Sequence, residues 1–210
     1  MVDPRDERLI HRLEAFSDIV IGFSMAFLAV NLGAADESMA RMATHIVAFL
    51  SCFAFVAILW WLHNRLFAFY FVATRFCIVA NFAALAALAL FIYATTTIAH
   101  RLLEPDVHVK PLLPYLGLWM GLYGTVLALF ALLYAIGIRE RWSGLPYPIK
   151  HWGVARALNA GLGGIALIVI AFFIASVYGS GFPWIVLVAL VSVVAERWLT
   201  PRIVGKAPPA

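Results

Sequence analysis

Asp18 is the residue of this sequence whose chemistry most needs an explanation, because it lies in the long apolar run FSDIVIGFSMAFLAVNL. A carboxylate in apolar surroundings is costly unless hydrogen-bond donors satisfy it. The sequence therefore predicts donors at the same depth as Asp18. An oppositely directed apolar run, which contains LWWLHNRLF, and the segment before Asp18 supply the candidates Trp60, His63, Asn64, Arg65 and Arg12. For His63 alone, a hydrogen-bonded packing histidine is favoured over a proton carrier.

The densest polar cluster, HRLLEPDVH, offers potential metal ligands in a loop between two apolar runs: His100, Glu104, Asp106 and His108. Their spacing matches no fixed metal-ligand pattern, so a solvated loop is the favoured interpretation. No Ser-His-Asp arrangement, carboxylate pair or glycine-rich phosphate loop stands out elsewhere in the sequence. We therefore predict that the protein is not an enzyme and has no catalytic residue, bound metal or cofactor.

The composition indicates an integral membrane protein. Of the 210 residues, 64% are hydrophobic and 12% charged, and the mean hydropathy is +0.95, whereas soluble domains carry about 25% charged residues. The formal net charge is +4, but the basic residues lie between apolar runs and form no patch, so the expected partner is the lipid bilayer and not nucleic acid. Cys52 and Cys77 are expected to be reduced apolar packing residues.

Six apolar runs are long enough to cross a bilayer, which takes about 20 helical residues. They predict an all-α integral membrane protein with one six-helix domain over residues 12–200, an N-terminal segment 1–11 and a tail 201–210. An uncleaved first helix is favoured over a signal peptide, because Asp18 interrupts the apolar core that a signal peptide requires. The six predicted spans are Phe16–Leu32, Thr44–Tyr70, Phe76–Ala99, Leu112–Ile138, Val154–Val177 and Pro183–Leu199.

The positions of the basic residues predict the orientation in the membrane. Cytoplasmic loops of membrane proteins carry an excess of lysine and arginine. With the N-terminus inside, all but Arg41, Arg101 and Lys110 of the 15 lysines and arginines fall on the cytoplasmic side. Both termini are therefore expected to be cytoplasmic.

The first helix is expected to have three distinct faces at 100° per residue. Small residues surround Asp18 on one face, which is suited to close helix packing: Ala15, Gly22, Ala26 and Ala29. Roughly opposite lies the polar stripe Ser17, Ser24 and Asn31, beside the apolar residues Phe16, Phe23, Phe27 and Val30. Two interpretations of the stripe stay open: it flanks a narrow path between several copies of the chain, or its side chains bond to carbonyls of their own helix.

Two motifs in the first two helices resemble the transmembrane protein 175 family of endosomal and lysosomal potassium channels and their bacterial relatives. The first-helix motif R-x-x-x-F-S-D corresponds to Arg12, Phe16, Ser17 and Asp18. The second-helix motif W-x-x-H-x-R-L-F corresponds to Trp60, His63, Arg65, Leu66 and Phe67. A single six-helix unit is similar to the bacterial form, which assembles as a homotetramer in the plasma membrane.

The resemblance implies a potassium-selective, or weakly selective, cation channel whose central pore is lined by the first helix. It places the pore constriction at Phe23, Phe27 and Val30. The polar stripe Ser17, Ser24 and Asn31, which the helical spacing puts beside these residues, is then expected to flank the pore. The resemblance also implies a structural network of the motif residues Arg12, Phe16, Ser17, Asp18, Trp60, His63 and Arg65. The chain departs from the family in having phenylalanines where isoleucine or leucine is usual, alanine at position 26 where threonine is frequent, and asparagine at position 31 where an acidic residue is frequent.

Two other membrane functions remain as alternatives. No carbonyl-lined filter of the T-V-G-Y-G type is found, so any selectivity must come from an apolar constriction and the field at its mouths. A proton- or cation-coupled transporter needs ionisable or unwound sites near the bilayer midplane, whereas Gly161, Gly163 and Gly164 have the spacing of helix-packing residues. A non-conducting membrane scaffold is the second alternative.

Overall fold

The computed structural model describes residues 4–32, 39–103, 109–176 and 182–205, and every one of these stretches is built on α-helix. The prediction of an all-α protein is confirmed. The helices are α1 (Pro4–Leu32), α2 (Met39–Phe69), α3 (Arg75–Leu103), α4 (Val109–Glu140), α5 (Tyr147–Ser176) and α6 (Phe182–Val204).

Five helices of the described chain are long and apolar enough to cross a membrane, within α1 to α5. The chain is therefore a multi-pass membrane protein. The predicted sixth span coincides with α6, whose first half lies outside the residues with described side chains.

Every helix extends beyond its predicted apolar span at one end or both, and α1 extends furthest. Helix α1 starts at Pro4, where the apolar run predicts a start near Phe16, and Asp6 and Glu7 occupy its first turn. Proline at the first position and acidic residues in the first turn both favour a helix start. Helix α6 continues through Pro201 to Val204. Hydropathy marks only the apolar part of a helix, so the polar extensions at residues 4–11 and 201–204 escape it.

The helices pack in a chain of neighbours. Helix α1 packs on α2 and α3, α3 packs on α4, and α6 packs on α5. The most extensive interface joins α4 and α5, where a β-carbon built on Gly124 would lie 2.6 Å from the carbonyl oxygen of Gly164. Helix α5 is continuous through Gly161, Gly163 and Gly164. The glycines therefore serve helix packing, as their spacing predicts, and α5 has no unwound segment there.

The connection between α2 and α3 is fixed by side-chain caps. Thr74 Oγ1 accepts a hydrogen bond from the amide of Cys77 at 3.2 Å, which caps the N-terminus of α3. The guanidinium of Arg141 on the α4–α5 connection donates to the carbonyl oxygens of Phe69 and Phe71 at 3.2 and 2.7 Å. These bonds satisfy carbonyls that the end of α2 leaves without partners. The hydrogen bonds of Arg141 therefore hold the end of α4 against the end of α2.

Candidate pore-lining helix and its supporting network

The inner face of α1 is a narrow stripe that packs on α2 and α3. Leu13, Ser17, Ile21 and Leu28 are buried, with exposures of 7%, 0%, 1% and 0%. These residues recur at intervals of three to four or a multiple of them, which places them on one side of a helix. The remainder of the helix is largely uncovered by the rest of the described chain.

The three residues predicted to form the constriction share one uncovered face of α1. Phe23 is 74% exposed, Phe27 44% and Val30 80%. Their spacing of four and three residues stacks them along the helix. Gly22, beside this face, has open space around it, because a β-carbon built there would meet no described atom within 4 Å. The structure thus brings the predicted constriction residues together on a surface that one protomer does not cover.

The polar stripe bonds to its own helix. Ser17 Oγ donates to the Leu13 carbonyl oxygen, and Ser24 Oγ donates to the Val20 carbonyl oxygen, both at 2.8 Å. Asn31 Nδ2 donates to the Phe27 carbonyl oxygen at 2.8 Å. This pattern matches the second of the two interpretations left open by the sequence.

Ser17 requires a correction. The helical spacing predicts that Ser17 flanks the pore and the motif implies that it belongs to the structural network, but its side chain is completely buried between α1 and α3. A hydroxyl with no accessible surface in the protomer cannot flank a path between protomers. The structural role is the one that fits this position.

A buried polar network joins α1, α2 and α3 through Asn81, a residue that the motifs do not contain. Asn81 Nδ2 donates to Ser17 Oγ at 3.3 Å, and Asn81 Oδ1 lies 3.0 Å from His63 Nε2. Because Oδ1 only accepts hydrogen bonds, His63 Nε2 carries a proton in this arrangement. Ser17 and Asn81 are 0% exposed and His63 is 1% exposed. The position of His63 matches a packing histidine with a hydrogen-bond partner.

Asp18 receives its hydrogen bond from Trp60. The indole Nε1 donates to Asp18 Oδ1 at 2.9 Å, and both side chains are on the exposed surface of the protomer. This bond connects α1 to α2 at the depth that the sequence predicts. Of the five predicted donors, the structure brings this one to the carboxylate.

Arg12 and Arg65 require a second correction, because no hydrogen bond or ion pair joins either of them to Asp18 within the described residues. Arg65 follows His63 by two residues, so it lies about 200° around α2. It therefore points away from α1, and its guanidinium carbon lies 5.7 Å from the ring centre of Trp61. The structural network contains Ser17, Asp18, Trp60 and His63, supplemented by Asn81.

Phe16 connects α1 to α3 from the other side of the network. Its ring meets the ring of Phe82 edge to face at 5.7 Å, in the geometry that aromatic pairs prefer. The position of Phe16 fits the structural role that the motif implies.

Helices α5 and α6 share an ion pair that the sequence analysis missed. Arg156 Nη2 lies 2.9 Å from Glu196 Oε1, and Asn159 Nδ2 donates to Glu196 Oε2 at 2.7 Å. The two charged residues are 40 positions apart and belong to different helices, so no local pattern indicates the pair. Both carboxylate oxygens are occupied by partners within the protomer, which is the arrangement of a packing interaction.

Within the described residues, no group of three or more histidine, cysteine, aspartate or glutamate side chains is placed to hold a metal ion. Of the loop residues considered as metal ligands, Glu104, Asp106 and His108 lie outside the described residues.

The fold defines a multi-pass helical membrane protein. Its first helix is held by a buried polar network, and the apolar outer face of that helix is exposed. The family described as "Endosomal/lysosomal potassium channel TMEM175" matches residues 12–91, which include both motifs. The predicted resemblance to this family is confirmed by this match, which falls within the first three helices. The family is one of channels and not of enzymes.

The fold is also similar to a solved structure. It superposes with a TM-score of 0.64 on a crystal structure of the potassium channel MtTMEM175, a threonine-to-alanine variant in complex with a nanobody–MBP fusion protein. The match covers 93% of this chain and 94% of that chain at 18% sequence identity, so the two share a fold. No curated protein sequence matches the chain.

Proposed function

We propose that the protein is a potassium-selective, or weakly selective, cation channel with an apolar constriction formed by α1. The observation that carries the proposal is the uncovered face of α1 that contains Phe23, Phe27 and Val30 together. The family match and the shared fold with a potassium channel support the same function. In this proposal four identical chains, each crossing the membrane six times, bring their α1 helices together around one axis.

The arrangement has a direct physical consequence for ion passage. Rings of Phe23, Phe27 and Val30 from several chains would form an apolar neck, and such a neck expels water when it is narrow. An ion passes only when the neck is wide enough to hold water or when the ion gives up part of its hydration shell. Potassium gives up hydration water at a lower cost than sodium, so the neck favours potassium without a carbonyl filter.

The buried network holds α1 in the orientation that this function requires. Ser17, Asn81 and His63 fix one side of the helix against α2 and α3, and the Asp18–Trp60 bond fixes its rotation at the same depth. The permeant ion meets none of these groups. We also propose, from the positions of the basic residues, that both termini are cytoplasmic. From the family resemblance we propose that the membrane is the bacterial plasma membrane.

Flux through reconstituted protein tests the proposal. Purified protein in liposomes loaded with potassium is expected to release it when a membrane potential is applied, without a proton gradient. Sodium-loaded liposomes are expected to release their ion more slowly, and protein-free liposomes provide the control. The mass of the purified assembly is expected to be that of a tetramer of the 23.2 kDa chain.

Each rival function predicts a different result in the same experiment. Flux that requires a proton gradient, at a fixed ratio of protons to potassium, would indicate a coupled transporter. The Arg156–Glu196 pair would then be the first intramembrane site to examine. A monomeric mass together with absent flux would contradict a central pore and indicate a scaffold.

Removing the amide of Asn81 tests the network that supports α1. The change Asn81→Leu leaves Ser17 and His63 without a shared partner in a buried site, so the free energy of unfolding is expected to fall by about 1–3 kcal/mol. Unfolding of the purified protein in mixed micelles measures the effect. The control is Thr97→Val, because the Thr97 hydroxyl donates only to the Tyr93 carbonyl oxygen of its own helix. An equal loss of stability in both variants would show that the network has no special role.

A further inference from the structure

Arg65 has a guanidinium that the Ser17–Asn81–His63 network does not use and that three aromatic rings surround. Its guanidinium carbon lies 5.7 Å from the ring centre of Trp61, 5.6 Å from that of Phe69 and 5.9 Å from that of Trp152. Rings at this distance attract the cation through their faces but occupy none of its five N–H donors. No carboxylate or carbonyl oxygen bonds to Arg65 within the described part of the chain. The donors of this exposed side chain are therefore left for a ligand.

A cavity opens beside this guanidinium between the end of α2 and the start of α5. Its volume is about 200 Å³, and it is lined by Arg65, Phe69, Tyr70, Pro148, Ile149 and Trp152. Tyr70 fixes the far wall, because its hydroxyl donates to the Ile149 carbonyl oxygen at 2.6 Å. The ring of Trp152 meets that of Trp61 edge to face at 5.7 Å. The cavity thus combines an apolar, aromatic wall with one free cationic group.

The depth of the cavity identifies the kind of ligand. Arg65 lies one helical turn before the end of the membrane-crossing part of α2, which runs from Met42 to Phe69. Tryptophan and tyrosine concentrate at this level of membrane proteins, where lipid headgroups lie. The neighbouring Arg156 is already neutralised by Glu196, whereas Arg65 pairs with no carboxylate of the described chain.

We propose that this cavity binds the headgroup of an anionic phospholipid, with its phosphate on the Arg65 guanidinium and its glycerol and first methylenes against Trp61 and Trp152. Guanidinium and phosphate match in a two-point hydrogen-bonding geometry. A soluble phosphate compound offers the same phosphate chemistry but has no acyl chains to lie along the aromatic wall. The site is independent of ion conduction, because it rests on the contacts of Arg65 and not on those of α1.

Lipid binding to the purified, delipidated assembly tests the site. Native mass spectrometry of protein titrated with phosphatidylglycerol or phosphatidylcholine gives the apparent dissociation constant for each lipid. We expect phosphatidylglycerol to bind more tightly, and the variant Arg65→Gln to lose about a factor of five of that preference, because it loses the charge-assisted hydrogen bonds from the guanidinium to the phosphate. The matched control is Arg75→Gln, which removes an exposed charge from the start of α3 at the same end of the bundle and is expected to keep the preference.

Two further arms cover the other outcomes. If Arg65→Gln does not fold, Arg65→Lys keeps the charge but loses the planar two-point geometry, and its preference is expected to fall about twofold. Inorganic phosphate at millimolar concentration is expected to leave bound phosphatidylglycerol in place. Displacement by inorganic phosphate would show a site for soluble phosphates and overturn the lipid assignment. Equal preferences in wild type and the Arg65 variants, or an equal loss in Arg75→Gln, would overturn the site itself.

Discussion

Replacing Gly164 with alanine is expected to lower the free energy of unfolding by about 1–3 kcal/mol, the range for overpacked interiors. A β-carbon at this position would lie 2.7 Å from the carbonyl oxygen of Gly124 and 2.8 Å from the amide nitrogen of Ala128. Both atoms belong to the backbone of α4, so no side-chain rotation relieves the overlap. Helices α4 and α5 must separate, and their interface is the most extensive between helices of the described chain.

The adjacent glycine provides a control for this prediction. A β-carbon on Gly163 would lie 3.7 Å from Ser192 Oγ, an ordinary contact toward α6. Alanine is favoured over glycine inside a helix by up to about 1 kcal/mol, so Gly163→Ala is expected to be neutral or slightly stabilising. Thermal unfolding of both variants in the same detergent makes the comparison. Equal stabilities would mean that α4 and α5 do not pack as closely as the structure has them.

The sequence alone predicts the class of protein, and it predicts that Asp18 needs a hydrogen-bond donor at its own depth. Apolar runs of helical length predicted the bundle, because a helix that crosses a membrane must keep its apolar side chains in contact with lipid or other helices. Depth alone predicts candidate donors to Asp18 on α2 and leaves Arg12 of the first helix as a further candidate. The structure selects Trp60 among them.

Contacts that depend on the rotation of one helix about its axis were harder to predict. The motif places Arg65 in one network with His63, although two residues of helix separate their directions by about 200°. The helical angle alone could have excluded Arg65 from the network. Asn81 gave a weaker signal, since it was the one strongly polar residue of an otherwise apolar stretch of α3. Its two partners belong to other helices, and only the packed structure identifies them.

The conduction proposal makes its largest prediction for the aromatic residues of α1. Phe23 is the most exposed phenylalanine of that helix at 74%, so in a central pore it would extend furthest toward the axis. Replacing it with alanine removes one ring from every subunit at the same level. The barrier to water and ions in an apolar neck rises steeply as the neck narrows, and the change acts on that barrier directly.

For Phe23→Ala we expect potassium flux in liposomes to increase about tenfold, which corresponds to about 1.4 kcal/mol of barrier, and the preference for potassium over sodium to decrease. Both effects have one cause, because a wider neck lets ions keep more of their hydration water. Phe172→Ala is the matched control: Phe172 is 71% exposed on α5, and it is expected to leave flux and selectivity unchanged. A Phe23 variant that assembles normally and conducts like the wild type would place Phe23 against lipid. An increase in potassium flux in both variants would instead indicate a general loosening of the bundle. A pore along α1 predicts an increase when α1 loses its ring and none when α5 does.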